Sequence, residues 1–417
     1  MNLPVEVQKI LNKLKENGFM AVVVGGCVRD ELMGENPHDY DIATSALPEQ
    51  VQLIFADERK VEFGLKHGTV TIIYDHIPYE ITTFRIDGEY SDHRRPDKVE
   101  FTEDLKQDLS RRDFTMNAIA YDGEKLYDYF GGVEDIKNKT IRCVGNPQDR
   151  FKEDPLRILR AVRFSSKFGF DIDSATQEAI MNPEIYNLLD MVSRERKSAE
   201  FDGIIMGDYS YVMIDWRTII EKVVPQITTI NDWELTVSKM KNKTYEEKLS
   251  FLVEDAFSDY DSAELAVKTF CKNMRYSNDV FSHVTKIINC QKEIFCDSSI
   301  FARKILQKYS SNIIAQAISC KTEKIKNNSA LSQAEKEELY ELLDKMIVTI
   351  SKVRSDESNC YNLEKLKVKG KDLKALGIEG EEIGKWLNIL LDLTQTGAVP
   401  NIKEMLLNVV KLSIYSS

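Results

Sequence analysis

The feature that most constrains this chain is an apolar segment that ends in two glycines and precedes two closely spaced aspartates. The segment is FMAVVVGG, residues 19–26, and the aspartates are Asp39 and Asp41 in DYDIAT. The first run is rich in valine and predicts a strand, and YDIAT predicts a neighbouring strand. Because residues i and i+2 of a strand point to the same face, both carboxylates are expected to project together.

Alternating helix and strand patterns continue to about residue 145. PVEVQKILNKLKENG and LPEQVQLIF predict helices, each with a proline in its first turn. HGTVTIIYDHIPYEITTFRI predicts a hairpin whose turn lies at residues 75–78, and SRRDFTMNAIAYD predicts a return to helix. The first third is therefore expected to be a small mixed sheet with helices.

From about residue 150 the spacing of apolar residues becomes helical. EDPLRILRAVRFSSKFGF and PEIYNLLDMVSRERKSAEFDGIIM both show this spacing. SALSQAEKEELYELLDKMIVTI adds a capping box, formed by Ser332 and Glu335, ahead of its apolar positions. The predicted fold class is α+β, with the sheet first and an all-helical remainder.

Two like charges side by side are unfavourable unless a cation lies between them. Carboxylate oxygens are the ligands that Mg²⁺ prefers, so Asp39 and Asp41 are candidate catalytic and metal-binding residues. Glu80, in PYEITTFRI, is a candidate third carboxylate for a two-metal site. The alternative is a solvated strand end, because two aspartates at this spacing are common.

The glycines and the arginine that follow them favour a phosphate ligand. Gly25 and Gly26 allow close approach of the backbone, and their N–H groups can face phosphate oxygens. Arg29 follows in the first helical turn, where an anion also meets a helix N-terminus. Taken together, a phosphate site and a metal site predict nucleotidyl transfer.

The helix in EDPLRILRAVRF carries groups that suit recognition of a base. Asp154 lies near its N-cap, and Arg157, Arg160 and Arg163 recur every three residues to form a basic stripe. A carboxylate accepts and a guanidinium donates, so one such pair can match the edge shared by cytosine and adenine and reject guanine and uracil. The alternative is a solvated arginine face behind a capped helix.

Bulk properties exclude several classes of protein. The 417 residues carry a net charge of −12, which argues mildly against a nucleic-acid coat but permits a local basic groove. No apolar run is long enough to cross a bilayer, so no membrane partner is expected. The seven cysteines include no CxxC pair, which predicts reduced thiols and a cytoplasmic protein.

These motifs resemble the head domain of the class II tRNA nucleotidyltransferases, the CCA-adding enzymes, and of the related bacterial poly(A) polymerases. Both belong to the DNA polymerase beta superfamily. The resemblance continues through YEITTFRIDGEYSDHRRPDKVEF, DLSRRDFTMNAIAYD, YDYFGGVEDI, RFKEDPLRILRAVRF and ERKSAEFDGII, and covers about the first 205 residues. Later, VKGKDLKALGIEGEEIGKWLNILLD resembles the tail of the Gram-positive enzymes.

The resemblance implies a polymerase-beta-like catalytic head at residues 1–145 and a helical neck at 146–207. A helical body at 208–320 and an RNA-binding helical tail at 321–417 follow. It also implies that ERKSAEFDGII supports the base-reading helix. Mg²⁺ would be held by Asp39, Asp41 and Glu80. The nucleotide would be bound by Gly26, Arg29, Arg112, Asp113, Asp154, Arg157, Arg160 and Arg163.

Two charged segments complete the resemblance. DGEYSDHRRPDKVEF, residues 87–101, corresponds to a loop that family members need to switch from adding C to adding A, and its full length favours complete CCA addition. KLKVKGKDLK, residues 365–374, has five lysines and predicts contacts to RNA phosphates. An ordinary charged loop and a solvated lysine turn are the alternatives.

The expected activity is therefore template-independent addition of CCA to the 3′ end of tRNA from CTP and ATP, with release of pyrophosphate. The expected partners are CTP, ATP and the 3′ end and acceptor helix of tRNA. A poly(A) polymerase, or an enzyme that adds only part of CCA, remains open. So do a small-molecule nucleotidyltransferase and a non-catalytic RNA-binding protein.

Overall fold

The computed structural model describes most of the chain, in two compact units, Met1–Pro225 and Gln226–Ser417. The described residues are 1–61, 68–74, 76–88, 90, 93–94, 96, 98–260, 262–294, 298–356 and 359–415. The predicted division into head, neck, body and tail is finer than these two units and stays a prediction.

All strands of the described residues lie in the first unit. They are β1 Ala21–Val24, β2 Ile42–Thr44, β3 Arg59–Val61, β4 Thr69–Tyr74, β5 Ile77–Thr83, β6 Arg85–Asp87, β7 Val99–Phe101, β8 Ile119–Tyr121, β9 Leu126–Asp128, β10 Thr140–Ile141 and β11 Asp171–Ile172.

Seven of these strands form one mixed sheet in the order β3-β4-β5-β2-β1-β8-β9. Within it β2 and β5 run parallel, with Ile42 opposite Ile81, and the other neighbours are antiparallel. The short pairs β6–β7 and β10–β11 lie outside it. The predicted hairpin is confirmed as β4 and β5, although Asp75 of its turn lies outside the described residues.

Short and medium helices surround the sheet in the first unit. They are α1 Val5–Glu16, α2 Gly26–Leu32, α3 Pro48–Ile54, α4 Leu105–Ser110, α5 Gly132–Lys137, α6 Pro147–Glu153, α7 Leu156–Phe168, α8 Ser174–Ile180, α9 Pro183–Tyr186, α10 Arg194–Met206, α11 Val212–Asp215 and α12 Arg217–Val223. Thr115–Asn117 and Asn187–Met191 form 3-10 turns.

The described part of the second unit is helical. It contains α13 Trp233–Met240, α14 Tyr245–Ala256, α15 Ala263–Met274, α16 Asn278–Glu293, α17 Ser299–Lys308, α18 Ser311–Asn327, α19 Gln333–Ser355, α20 Gly370–Lys374, α21 Glu381–Gln395 and α22 Lys403–Tyr415. A 3-10 helix, Pro225–Thr229, precedes them. The capping box of Ser332 and Glu335 is confirmed at the start of α19.

The central strand β1 is buried on both faces, which explains its unbroken run of apolar residues. Ala21 and Val23 belong to one apolar cluster, packed with α1 and α3. Val22 and Val24 belong to a second cluster on the other face, with Phe84 and residues of α4. The sheet is thus a middle layer within the first unit, and the loops that adjoin its strands carry the polar groups described below.

Two helix predictions are wrong in detail. SRRDFTMNAIAYD forms only the end of α4, a 3-10 turn and strand β8, because its apolar residues are needed in the sheet beside β1. The segment at residues 183–206 is broken into α9, a 3-10 turn and α10. The predicted α+β fold class, with a sheet followed by helices, is confirmed.

None of the helices in the described part of the chain combines the length and the apolarity that crossing a bilayer requires.

The start of α5 provides a test of packing. A Cβ on Gly132 would overlap the backbone oxygen of Thr115 and lie 2.8 Å from Ile119 Cγ1. Gly132→Ala is expected to cost about 1–3 kcal/mol and to lower the Tm. Gly384→Ala in α21, where a Cβ meets no atom within 4 Å, should gain about 0.5–1 kcal/mol. Equal Tm values for Gly132→Ala and wild type would contradict the packing.

Candidate active site

The aspartate pair lies directly before strand β2. That strand begins at Ile42, so Asp39 and Asp41 approach it and are not part of it, and the predicted strand was too long. The backbone of Asp41 still follows the sheet, because its carbonyl oxygen accepts a hydrogen bond from the Val24 N–H at 3.0 Å. Both side chains are exposed to solvent.

Glu80 lies beside Asp41 across the parallel strands. Ile42 pairs with Ile81, which makes Asp41 and Glu80 neighbours one step earlier. Burial raises the pKa of Asp41, the charges of Asp39 and Glu80 raise it further, and Arg112 lowers it. Since Asp41 retains solvent access, its desolvation is partial. Asp39 and Glu80 therefore act on Asp41 as like charges.

This arrangement fits a divalent cation only in part. Within the described residues, no three His, Cys, Asp or Glu side chains converge closely enough to hold one metal ion. Mg²⁺ is usually bound by one or two carboxylates together with waters and substrate phosphates, so the pair alone can suffice. Glu80 as a third ligand stays a prediction.

A glycine turn lies next to the aspartate pair. Gly25 has φ +84° and precedes α2, a conformation that favours glycine. A Cβ on Gly25 would lie 3.1 Å from Arg112 Nη1, and one on Gly26 would lie 3.5 Å from Arg29 Nη2. The absence of side chains at both positions thus leaves room for two guanidinium groups against the turn.

Arg29 is buried and held from several sides. Its Nη1 donates to Asn117 Oδ1 at 2.7 Å, and its Nη2 donates to Asp30 Oδ1 at 2.6 Å. The guanidinium carbon lies 4.8 Å from the ring centroid of Phe168. The guanidinium of Arg29, for which a phosphate contact is predicted, is therefore held in one position by these contacts.

Arg112 is the cation whose charge acts on Asp41. Its Nη2 lies 3.4 Å from Asp108 Oδ2, and Asp108 is almost fully buried. Its Nε is buried and has no hydrogen-bond partner in the structure. An unsatisfied buried donor is unfavourable by about 1–3 kcal/mol, and such groups are typical of functional sites.

Asp113 is buried and fully engaged. Its Oδ2 accepts hydrogen bonds from Arg160 Nε at 2.8 Å and Nη2 at 2.6 Å, and its Oδ1 accepts from Asn117 Nδ2 at 3.0 Å. Burial alone would raise the pKa of Asp113, but the Arg160 charge and these hydrogen bonds lower it to about 2. Through these hydrogen bonds Asp113 holds Arg160 and Asn117 in place, and the ribose contact predicted for it stays a prediction.

Asp154 and Arg157 flank the start of α7, but their side chains have different partners. Asp154 Oδ1 accepts from the Leu156 N–H at 3.1 Å, and its Oδ2 accepts from Arg196 at 2.7 Å. Arg157 is buried, and its Nη1 donates to Glu153 at 2.7 Å. Arg157 also donates to the carbonyl oxygens of residues 150 and 111. Both groups are thereby fixed near one helix end.

The other two arginines of α7 connect it to α10. Arg163 donates to Glu200 Oε2 at 2.5 Å, and Arg160 Nη1 lies 3.9 Å from Glu200 Oε1. Arg196 of α10 contacts Asp154, as described above. The expectation that ERKSAEFDGII supports this helix is confirmed by these contacts.

Sequence reasoning missed three residues of the site. Asn117 bridges Arg29 and Asp113, Glu153 pairs with Arg157, and Asp108 pairs with Arg111 at 2.8 Å as well as with Arg112. Each lies within four positions of a residue that was predicted. The sequence did carry a signal for Asp108 and Glu153, each of which lies four positions before an arginine. It carried none for Asn117, whose partner Arg29 lies 88 positions earlier.

The described part of the loop at residues 87–101 contacts the site. Tyr90 Oη donates to Asp87, which lies 3.7 Å from Arg111, and His93 Nδ1 lies 2.5 Å from the Lys152 carbonyl oxygen. Arg95 lies outside the described residues. In the second unit, Lys365 lies over the Tyr361 ring. Lys369 Nζ donates to the carbonyl oxygens of Leu363 and Glu364, which directly precede the lysine-rich segment.

Comparisons with known proteins agree with this geometry. Residues 21–142 match the Poly A polymerase head domain family. The CCA-adding enzyme of Streptococcus pyogenes serotype M2 is 39% identical over 303 residues, which are 69% of this chain and 72% of that protein. The CCA-adding enzyme of Staphylococcus epidermidis is 48% identical over 204 residues, or 49% of this chain and 50% of that protein.

Solved structures of CCA-adding enzymes are similar to this chain over all or nearly all of its length. The Bacillus stearothermophilus CCA-adding enzyme in complex with CTP covers 100% of both chains with a TM-score of 0.75 at 26% identity. The Thermotoga maritima CCA-adding enzyme complexed with tRNA covers 97% of this chain and 94% of that one. Its TM-score is 0.62 at 21% identity, which shows the fold alone.

A head domain of this family, with an aspartate pair beside a glycine turn, defines a nucleotidyltransferase. At the level of relatedness found with the streptococcal protein, the chain belongs to the family of CCA-adding enzymes. The resemblance inferred from its motifs is confirmed.

The buried Asp113 provides a test of the site's electrostatics. Its folded-state pKa of about 2 lies below the ordinary 3.8, so ionised Asp113 stabilises the fold by about 2 kcal/mol above about pH 4. That contribution is lost as the pH falls through about 2. Asp113→Asn should therefore lower the free energy of unfolding at neutral pH, by a margin that shrinks between about pH 4 and pH 2.

Denaturant unfolding at several pH values measures this margin. Asp171→Asn changes an exposed carboxylate in the same unit and is the control. A pH-independent difference between Asp113→Asn and wild type would contradict the ion pair with Arg160.

Proposed function

We propose that this chain adds CCA to the 3′ end of tRNA, using CTP and ATP without a nucleic-acid template and releasing pyrophosphate. The observation that carries the proposal is the position of Asp41. Its carboxylate interacts with those of Asp39 and Glu80, and it faces the charge of Arg112 beside the glycine turn. A site of this kind suits a triphosphate and an attacking hydroxyl.

The bond that forms joins the 3′ oxygen of the tRNA to the α-phosphorus of the nucleotide. The bond that breaks joins that phosphorus to the oxygen of the leaving pyrophosphate. Members of this family generally use a divalent metal, and we propose Mg²⁺, held by Asp39 and Asp41 with Glu80 as a third carboxylate. When bound, such an ion lowers the pKa of the attacking hydroxyl and neutralises developing charge on the leaving oxygen.

The chain's own residues bind and orient the nucleotide. Gly26 leaves the turn open, so that phosphate oxygens reach the backbone N–H groups. Arg112 and Arg29 lie against the turn and supply positive charge. Asp113 is assigned to the ribose, a contact for which one of its four present hydrogen bonds has to be exchanged. The fixed guanidinium groups need little reorganisation when the triphosphate arrives, which favours binding.

Asp154 and Arg157 are proposed to read the base. The Asp154 carboxylate has acceptor capacity beyond its two present partners, and three of the five N–H donors of Arg157 are occupied. An acceptor and a donor in fixed order match the edge that cytosine and adenine share. Arg160 and Arg163 hold the helix that carries them and lie on its basic stripe.

The remaining assignments concern the RNA. We propose that residues 1–145 are the catalytic head, 146–207 the neck, 208–320 the body and 321–417 the tail. The lysines of residues 365–374 supply a local positive field in an acidic chain and suit contacts to phosphates of the acceptor helix.

The six described cysteines are free and buried, which supports a reducing, cytoplasmic location.

Removing one carboxylate of the pair should abolish nucleotide addition. Asp39→Ala and Asp41→Ala each remove a proposed metal ligand from an exposed position and no core volume, so the fold should persist. The measurement is addition of labelled nucleotide to tRNA lacking its terminal CCA, with product sizes resolved on a gel. Asp57→Ala, an exposed carboxylate of the same unit, is the control and should retain activity.

The gel also separates complete from partial enzymes. Three successive additions indicate full CCA synthesis, two or one indicate a partial enzyme, and long products with ATP alone indicate a poly(A) polymerase. Near-normal turnover of Asp41→Ala in Mg²⁺ would contradict the catalytic assignment.

Exchanging the two base-reading groups should change nucleotide choice. Asp154→Arg combined with Arg157→Asp reverses the order of donor and acceptor and should raise the ratio of UTP to CTP addition. Two mismatched hydrogen bonds at about 1–3 kcal/mol each correspond to one to several powers of ten. The rate will fall because the double substitution removes the hydrogen bond from Arg157 to Glu153 and the one from Arg196 to Asp154. An active double variant with an unchanged ratio would place selectivity elsewhere.

A further inference from the structure

A chain of buried hydrogen bonds runs from the glycine turn to helix α7, and Asn117 is its central link. The side chain of Asn117 is 7% exposed and lies in the 3-10 turn before β8. Its Oδ1 accepts from Arg29 Nη1 at 2.7 Å, and its Nδ2 donates to Asp113 Oδ1 at 3.0 Å. Asp113 then accepts two hydrogen bonds from Arg160.

The chemistry of this position calls for a carboxamide. A guanidinium only donates and a carboxylate only accepts, so the group between them must accept on one side and donate on the other. Asparagine satisfies both, in one orientation of its amide. An aspartate would place a second negative charge against Asp113, and an apolar residue would leave both neighbours with one partner fewer.

The backbone around Asn117 contacts the same turn. A Cβ on Gly25 would lie 3.8 Å from the Asn117 carbonyl oxygen, and the Gly25 N–H donates to Ile119 O at 3.2 Å. Main chain and side chain of one short segment thus fix both the glycine turn and Arg29. Neither the aspartate pair nor the base-reading Asp154 and Arg157 is hydrogen-bonded to Asn117 in the described structure.

Resting on the proposed function, we propose that Asn117 is a positioning residue of the nucleotide site. It holds Arg29 against the glycine turn and, through Asp113, fixes Arg160 of α7, so that the groups contacting phosphate and sugar keep one arrangement. Because phosphate and sugar are common to CTP and ATP, its loss affects both nucleotides alike. Its loss leaves the affinity for tRNA unchanged.

The first test is Asn117→Ala, assayed for the KM of each nucleotide and of tRNA. The KM for CTP and for ATP should each rise roughly tenfold, a factor that corresponds to about 1.4 kcal/mol. The KM for tRNA should stay within twofold of wild type. A wild-type chain without activity would refute the proposed function itself, whereas an active wild type with unchanged nucleotide KM in Asn117→Ala would refute only this inference.

Thr115→Val is the matched control. Thr115 is also buried and lies in the same 3-10 turn. It donates to Asp135 Oδ2 at 2.6 Å, outside the chain of contacts from Arg29 to Arg160. It should lower the Tm comparably and leave the nucleotide KM unchanged. An equal rise of nucleotide KM in Thr115→Val, or an effect of Asn117→Ala on only one nucleotide, would overturn the assignment.

Asn117→Asp gives a readout that a purely structural role would not move, and it is isosteric should Asn117→Ala not fold. The introduced carboxylate keeps the acceptor for Arg29 but repels Asp113, and its protonation restores a donor. Its nucleotide KM relative to wild type should fall as the pH is lowered from about 8 to about 5.5. Charged groups near the position are Arg29, Asp30, Asp113, Arg160 and, at the glycine turn, Arg112.

The wild type and Asn117→Ala provide the reference curves, because neither places a titratable group at position 117. A pH-independent ratio for Asn117→Asp, with its KM close to that of Asn117→Ala throughout, would contradict the donor role of the amide toward Asp113.

Discussion

The buried ion pair between Asp113 and Arg160 is the interaction on which the arrangement of this site depends. Asp113 follows α4 and Arg160 lies within α7. The pair therefore joins the part of the chain that bears the glycine turn to the part that bears the proposed base-reading residues. Two charges taken out of water are stabilising only when every lone pair and proton finds a partner. Asp113 meets that condition with four hydrogen bonds, from Phe114, Asn117 and two nitrogens of Arg160.

The same requirement explains why polar residues accumulate around α7. Each arginine on this helix has a carboxylate partner: Glu153 for Arg157, Asp113 for Arg160 and Glu200 for Arg163. These partners come from α6, from the segment after α4 and from α10, so the helix is fixed from three directions. An enzyme that selects nucleotides without a template needs donors and acceptors that stay in place when no base is bound. A fixed arrangement rejects the wrong base by leaving buried groups unpaired, a penalty that a mobile side chain would avoid.

The sequence allowed the fold class and the site motifs to be predicted because both rest on local patterns. The valine run of β1, the glycine pair and the aspartate spacing are contiguous, and the helical spacing of α7 is regular. The wrong or missing predictions have a common cause: the structure and role of these residues depend on contacts with residues that are distant in the sequence. SRRDFTMNAIAYD has helical spacing, but Ile119 and Ala120 complete the sheet beside β1. Asn117 could not be chosen from the sequence, because its role depends on Arg29, which lies 88 positions earlier. The pairing of Arg157 with Glu153, in contrast, had a local signal that was not used, which is the spacing of four residues between them.

An acidic protein that acts on RNA must confine its positive charge, and this chain does so in two ways. Around the candidate site, Arg29, Arg112, Arg157 and Arg160 are largely buried and paired, so they add little to the long-range field and act mainly on a ligand that enters the site. In the lysine-rich segment at residues 365–374 the cations are close together in sequence and include side chains at the surface. Salt screens such exposed charges over about 10 Å and leaves buried pairs nearly unaffected. Binding of RNA should therefore weaken with ionic strength, while discrimination among nucleotides, which depends on buried hydrogen bonds, should not. On the proposed assignments, recognition of shape and charge belongs to one part of the chain and recognition of the base to another.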